Sequence, residues 1–200
     1  MSRVRASMGL LTAVAAMLVF AQAQASDKGK DADKYAETIK VFREAGQSAK
    51  FFDNSYGYAV FPGIGKGGVG VGGAHGTGRV YEHGHYVGDA TMNQVTVGLQ
   101  LGGQVYRQII FFENKEAFDH FTSGKFEFGA QATAVAITAG ASAQASTGGG
   151  ATAGASATQQ DATTAGAYEN GMAVFTVAKG GLMYEASIGG QKFSYHPKKK

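Results

Sequence analysis

The chain has 200 residues, 18 lysines and arginines against 15 acidic side chains, and no cysteine. Disulfides, thiolate metal sites, a cysteine nucleophile and a lipid-modified cysteine are thereby excluded. The formal charge of +3 is local: Arg3 and Arg5 sit near the start and Lys198, Lys199 and Lys200 close the chain, so there is no broad basic field of the kind that binds nucleic acid.

Residues 1–25 have the layout of a secretory signal peptide. Arg3 and Arg5 form a basic start, Met8 to Ala21 an apolar run too short to span a bilayer comfortably, and Ala23-Gln24-Ala25 a small-x-small cleavage site. Cleavage before Ser26 is expected, leaving residues 26–200 as one domain. That places the chain in the periplasm or the medium, or peripherally on the envelope membrane. Glycine supplies 31 residues and proline only two. Abundant glycine in alternating runs predicts closely apposed, curved or bulged strands rather than disorder.

Asp31 to Phe52 reads as a helix, with Tyr35, Ile39, Phe42, Ala45, Ala49 and Phe52 recurring at three or four residues. Lys34, Lys40, Arg43 and Lys50 flank this stripe. It either packs on the rest of the domain or lies on a membrane surface. Asp53-Asn54-Ser55 ends the helix.

From Tyr56 the period becomes two. Tyr58 to Phe61 reads as a buried strand, Val69 to Gly72 alternates, and Arg79-Val80-Tyr81 and Tyr86-Val87 flank a turn at His83-Gly84-His85. Val95, Val97, Leu99 and Leu101 alternate with polar or small residues, which predicts a half-buried strand. Val105 to Phe112 forms another. Asn114 is placed to cap a short helix with Ala117, Phe118 and Phe121 on one face, ended by Gly124. Val135 and Ile137 belong to a further strand. The Ala/Gly-rich segment 139–166 is either a small-residue hairpin turning at Gly148-Gly149-Gly150 or a flexible loop.

The chain also echoes itself. Gly57-Tyr58-Ala59-Val60-Phe61 returns as Gly171-Met172-Ala173-Val174-Phe175, and Lys66-Gly67-Gly68 returns as Lys179-Gly180-Gly181. Two similar strand–turn–strand units in one sheet are expected.

Gly63, Gly65 and Gly68 fit G-x-G-x-x-G, the dinucleotide fingerprint. The fingerprint needs a helix after the glycines, whose N-terminal N–H groups hold the pyrophosphate. Residues 69–78 are glycines and β-branched residues, poor helix material. A turn followed by a glycine-alternating strand is the better reading, with Gly70 and Gly72 leaving a bare face for a backbone or ring. His83 and His85 form H-x-H with His75 nearby, read as exposed turn histidines rather than metal ligands. No pair of carboxylates, no G-x-S-x-G and no H-E-x-x-H declares a catalytic centre.

Four ordered blocks resemble the SYLF lipid-binding domain family: Ala59 to Gly78 (A-V-F-P-x-x-x-K-G-G-x-G-V-G-G-x-x-G-x-G), Val97 to Gln104 (V-G-L-Q-L-G-G-Q), Phe126 to Ala136 and Lys179 to Gly190. They run through essentially the whole chain after the signal. Departures are Phe126 for the family's tryptophan, Gln131 for its aspartate and Gly189 for its glutamate; if the family's acidic positions touch ligand, the last two alter or remove that function. The resemblance implies an exported, non-enzymatic domain that binds membrane lipid, anionic phospholipid headgroups in particular, without cofactor, metal, nucleotide or nucleic acid. Actin, a partner of some eukaryotic relatives, does not suit an exported chain. The expected fold is α+β: a twisted antiparallel sheet able to close toward a barrel, with the N-terminal helix and one or two short helices packed on it. The expected lipid-binding residues are Lys66, Gly67, Gly68, Lys179, Gly180 and Gly181, assisted by Lys40, Arg43 and Lys50. Backbone N–H groups of such glycine turns can converge on an anion, and lysine adds a mobile point charge. A structural or envelope-interaction protein without a defined ligand is the alternative, and an unrecognised hydrolase a third.

Overall fold

The computed structural model describes residues 31–98, 103–130, 132, 134–137, 167–179 and 188–199. The signal peptide expected at 1–25 and the Ala/Gly-rich segment 139–166 lie outside them, as do Leu99 and Leu101. The chain divides into two units, Met1–Glu37 and Thr38–Lys200. Of the first, residues 31–37 are described; they are helical, with Lys34 Nζ 3.1 Å from Asp31 Oδ1.

The single helix expected over Asp31 to Phe52 is three: α1 (31–44), α2 (Gly46–Ala49) and α3 (Phe51–Asn54). Ala45 breaks it with an extended backbone, φ −80° and ψ 112°. Gly46 weakens the helix there, and the buried Ser48 hydroxyl donates to the carbonyls of Phe42 (2.6 Å) and Ala45 (3.3 Å). It thus gives a partner to the Phe42 carbonyl in the last turn of α1, an acceptor of the kind that a helix end leaves orphaned.

Seven strands form one sheet among the described residues: β1 (Gly57–Glu82), β2 (His85–Gly98), β3 (Gln104–Phe112), β4 (Phe126–Glu127), β5 (Val135–Ile137), β6 (Met172–Ala178) and β7 (Lys192–Pro197). Their order is β4-β7-β2-β1-β3-β6-β5. Every pairing is antiparallel except β5 with β6. The edge strands β4 and β5 are neighbours in sequence. Phe128 and Ala132 still bond to the run into β7, at Gln191, Gly190 and Ile188, whereas Val135 is already opposite Phe175 of β6. Three residue steps span at most about 10 Å, so the two edges must approach, and the sheet curls into a half-barrel.

Glycines make that curl. The first half of β1 pairs with β3 and the second half with β2. A Cβ on Gly57 would stand 2.5 Å from the Tyr81 carbonyl, one on Gly78 2.6 Å from the Phe61 ring, one on Gly76 2.7 Å from Ile64, and one on Gly68 2.3 Å from the Gly72 Cα. Each step forward in the first half is matched by a step back in the second. β1 therefore doubles back on itself, with its apex near Gly70. Gly68 has φ +151°, a backbone open to glycine. The Lys66-Gly67-Gly68 run, expected as a turn, lies inside this strand instead. The bare face expected at Gly72 is real, and Gly68 occupies it.

The inner face holds Phe61, Ile64, Val80, Met92, Tyr106, Ile110, Phe112 and Phe193. Helix α4 (Lys115–Thr122) packs there with Ala117, Phe118 and Phe121 buried; Asn114 caps it, its side chain accepting from the Ala117 N–H, and Gly124 follows with φ +109°. Phe121 lies 4.9 Å from Phe112 and 5.2 Å from Phe193, centroid to centroid. The outer face of β1, β3 and β6 is covered by α3: Phe51 stacks on Phe111 at 5.5 Å and meets Phe175 at 5.1 Å, and Phe52 meets Phe111 at 4.8 Å. Such contacts add about 0.5–1.5 kcal/mol each beyond burial.

Candidate functional site

The two echoed segments are the two neighbours of β3. Tyr58 and Ala173 both lie opposite Phe111. Between Phe61 and Ile64 β1 takes an extra residue, and Pro62 sits in this bulge, where a missing N–H costs the ladder least. β6 has no bulge over the matching stretch. Lys66 is therefore opposite Gln104, while Lys179 donates its N–H to Val105 at 2.9 Å, one residue on. Successive residues of a strand point to opposite faces. Lys66 thus shares the face of Ile64 and Tyr106, and Lys179 the outer face of Gly65 and Val105. The lysines come to the same end of the half-barrel, on opposite faces of the sheet. Lys179 Nζ and Val105 Cγ1 both lie within 4 Å of the point where a Cβ on Gly63 would stand.

Gly67 is half-buried in β1, and Gly68 meets Gly72 as described. Gly180, Gly181 and Gln131 lie outside the described residues. The helical cations lie elsewhere. Lys40 pairs with Glu44 at 3.7 Å, Arg43 stacks over Phe52 at 4.2 Å, and Lys50 stands over Phe51 at 5.3 Å. Phe42, Ala45 and Phe51 are buried, while Tyr35, Ile39 and Phe52 of the same stripe are half-buried.

The apex end comprises residues 63–77 of β1, 91–98 of β2, 103–108 of β3 and Lys179. It holds Lys66, Arg107 and Lys179, and no aspartate or glutamate. Its interior is amide-rich. Gln94 Nε2 donates to the Gly189 carbonyl at 2.9 Å. Gln108 Nε2 donates to Gln191 Oε1 at 2.9 Å, and Gln191 Nε2 donates to the Tyr106 hydroxyl at 3.1 Å. Burial pushes the Tyr106 phenol well above its ordinary pKa, with the Gln191 bond opposing. Gly189 has no room for a side chain: a Cβ would stand 2.3 Å from the Ala130 carbonyl oxygen.

Sequence reasoning missed the phase of β2. Val95 was expected to face the core, but Met92 and Gln94 do, and Val95 is 77% exposed. Val71 (66%) and Val105 (44%) are exposed too. Alternation is visible in a sequence; which phase faces inward is not.

Other sequence features resolve simply. The glycines of the G-x-G-x-x-G match lie within β1, so no helix N-terminus follows them. His83 and Gly84, φ +47° and +79°, form the β1–β2 turn, and His83 packs on Tyr56. No group of three metal-binding side chains converges among the described residues. A cavity of about 500 Å³ opens beside β6, lined by Phe126, Phe128, Val135, Phe175 and Ile188, with Glu127, Glu169 and His120 as its ionisable groups. Its acidic lining does not suit an anionic headgroup.

A half-barrel sheet with α3 on part of its outer face brings Lys66, Arg107 and Lys179 to one end, with no carboxylate among the described residues of that end. Residues 93–198 match the family model Ysc84, described as "Las17-binding protein actin regulator". The chain belongs to this SYLF (Ysc84) family, whose members are non-enzymatic binding or regulatory domains associated with lipid binding and actin regulation. It is also similar to Beta cell expansion factor A of Aeromonas veronii, 29% identical over 164 residues, covering 78% of this chain and 51% of the relative. The chain thus spans about half the length of that relative. The block at Ala59 to Gly78 precedes the residues matched by the family model.

Proposed function

We propose that this chain is an exported, non-enzymatic domain that associates with anionic phospholipid surfaces through the apex of its half-barrel. The observation that carries the reading is the gathering of Lys66 and Lys179 on either side of the β3 end, in a region whose sequence has no carboxylate. Each lysine near an anionic membrane surface is worth about 1 kcal/mol. Family membership supports the lipid class of ligand. The family's description as a Las17-binding actin regulator favours a second reading, a protein partner. Co-sedimentation with vesicles tests the first: the protein should pellet with phosphatidylglycerol-containing vesicles at low salt and not with neutral phosphatidylcholine vesicles. Absence of pelleting with either would refute it.

A further inference from the structure

We propose that Val71, Val95 and Val105 form an apolar wedge that enters the acyl-chain region of a bilayer when the apex docks. The inference rests on the lipid-surface reading above and extends it, giving the apex a second, uncharged mode of attachment. Val71, Val95 and Val105 are the exposed large hydrophobic residues among the described ones. Exposed valines scattered singly need no explanation, but these lie on strand segments of the apex end, Val71 and Val95 on one flank and Val105 on the other. Val71 lies opposite Val97 and Val95 opposite Gly73, so Val71 and Val95 are diagonal neighbours across β1 and β2. Val105 lies opposite Gly65 on the other flank of the apex, also beside a glycine.

All three project from the outer face, because Ile64, Ala74, Met92 and Tyr106 hold the inner one. Farther along that outer face β1 and β2 turn polar, with Thr77, Asp89 and Asn93. The apolar character is confined to the end where the cations are. Val105 and Lys179 share one surface point beside Gly63, and Arg107 follows Val105 on the same face. A valine beside a lysine at the tip of the fold, with two further exposed valines on the other flank, matches the chemistry of an anionic lipid surface, phosphate outside and hydrocarbon beneath. A soluble polyanion would offer nothing to the valines. Full transfer of one valine side chain from water is worth about tenfold in partitioning, so partial insertion of three should outlast the screening of the lysines.

The test compares wild type with Val71→Ser/Val95→Ser/Val105→Ser on phosphatidylglycerol-containing vesicles, at low salt and at about 1 M, where the Debye length is about 3 Å. Wild type should keep a bound fraction at high salt, and the variant should lose it by at least about tenfold while still binding at low salt. Equal binding of the two at both salts overturns the wedge and leaves the lipid-surface reading standing. No wild-type binding at either salt overturns both. The absence of native cysteine allows a second readout that does not depend on comparing variants' stability. A polarity-sensitive dye on Val95→Cys should shift to the blue when vesicles are added, and one on Asp89→Cys should not. An unshifted dye at position 95 on vesicle-bound protein also overturns the wedge.

Discussion

Gly78 lies against the ring of Phe61, so close that a Cβ would stand 2.6 Å from two ring carbons and 2.8 Å from the Val60 carbonyl. The contact joins the two halves of β1 and sets how tightly the strand doubles back. Gly78→Ala is expected to destabilise the fold by about 2–3 kcal/mol through overpacking. Gly73→Ala, in the same strand, meets only the Gln94 carbonyl at 3.5 Å. It should be neutral or up to about 0.5 kcal/mol more stable. Urea denaturation midpoints of the two variants check the contrast.

The bulge at Pro62 fixes which residues face which across β1 and β3. Gly65 is directly opposite Val105 and Lys66 opposite Gln104, and opposite residues stand at a distance a disulfide can bridge. In this cysteine-free chain, Gly65→Cys/Val105→Cys should cross-link on mild oxidation. Lys66→Cys/Val105→Cys, on opposite faces, should not. Thiol titration of the folded protein reads the difference.

Much of the fold was legible where the signal is local. The helix at Phe118 was set by its Asn114 cap and Gly124 stop, the β1–β2 turn by His83-Gly84, and the strand at Tyr58 to Phe61 by its apolar run. The misses were non-local. Ala45 is a good helix former, and nothing in its neighbourhood announces that Ser48 will take the Phe42 carbonyl. Val95 carries the alternation of a buried strand, yet the curl of the sheet turns Gln94 inward to meet Gly189. The Lys-Gly-Gly echo was visible, but one bulge residue, decided by pairing with β3, sends the two lysines to opposite faces. The candidate site was therefore legible as residue types and not as a surface.

Tyr106 should make the fold sensitive to alkali. Its pKa is raised in the folded state from 10.0, so the folded chain holds a proton that the unfolded chain releases. Stability is full below pH 10 and falls as the pH rises above it toward the folded-state value. Tyr168, pushed up to about 12 by burial and by Glu113, acts in the same direction. Tyr106→Phe should flatten the fall in urea midpoint above pH 10, while costing about 1 kcal/mol at neutral pH for the lost hydrogen bond from Gln191.

Thr176 is fully buried opposite Gln108, and its hydroxyl has no hydrogen-bond partner among the described residues. Replacing an unpaired buried hydroxyl by a methyl removes a desolvation cost of about 1–3 kcal/mol. Thr176→Val should therefore raise the thermal midpoint, against the usual trend for core substitutions. Differential scanning calorimetry checks it, and a lowered midpoint would mean that the hydroxyl is paired.

In the proposed function the apex cations hold the chain on anionic lipid. The most direct measurement is the affinity of Lys66→Ala/Lys179→Ala for phosphatidylglycerol-containing vesicles at low salt, beside wild type with matched far-UV spectra. Two lysines at about 1 kcal/mol each predict a loss of about thirtyfold. An affinity equal to wild type would contradict the account.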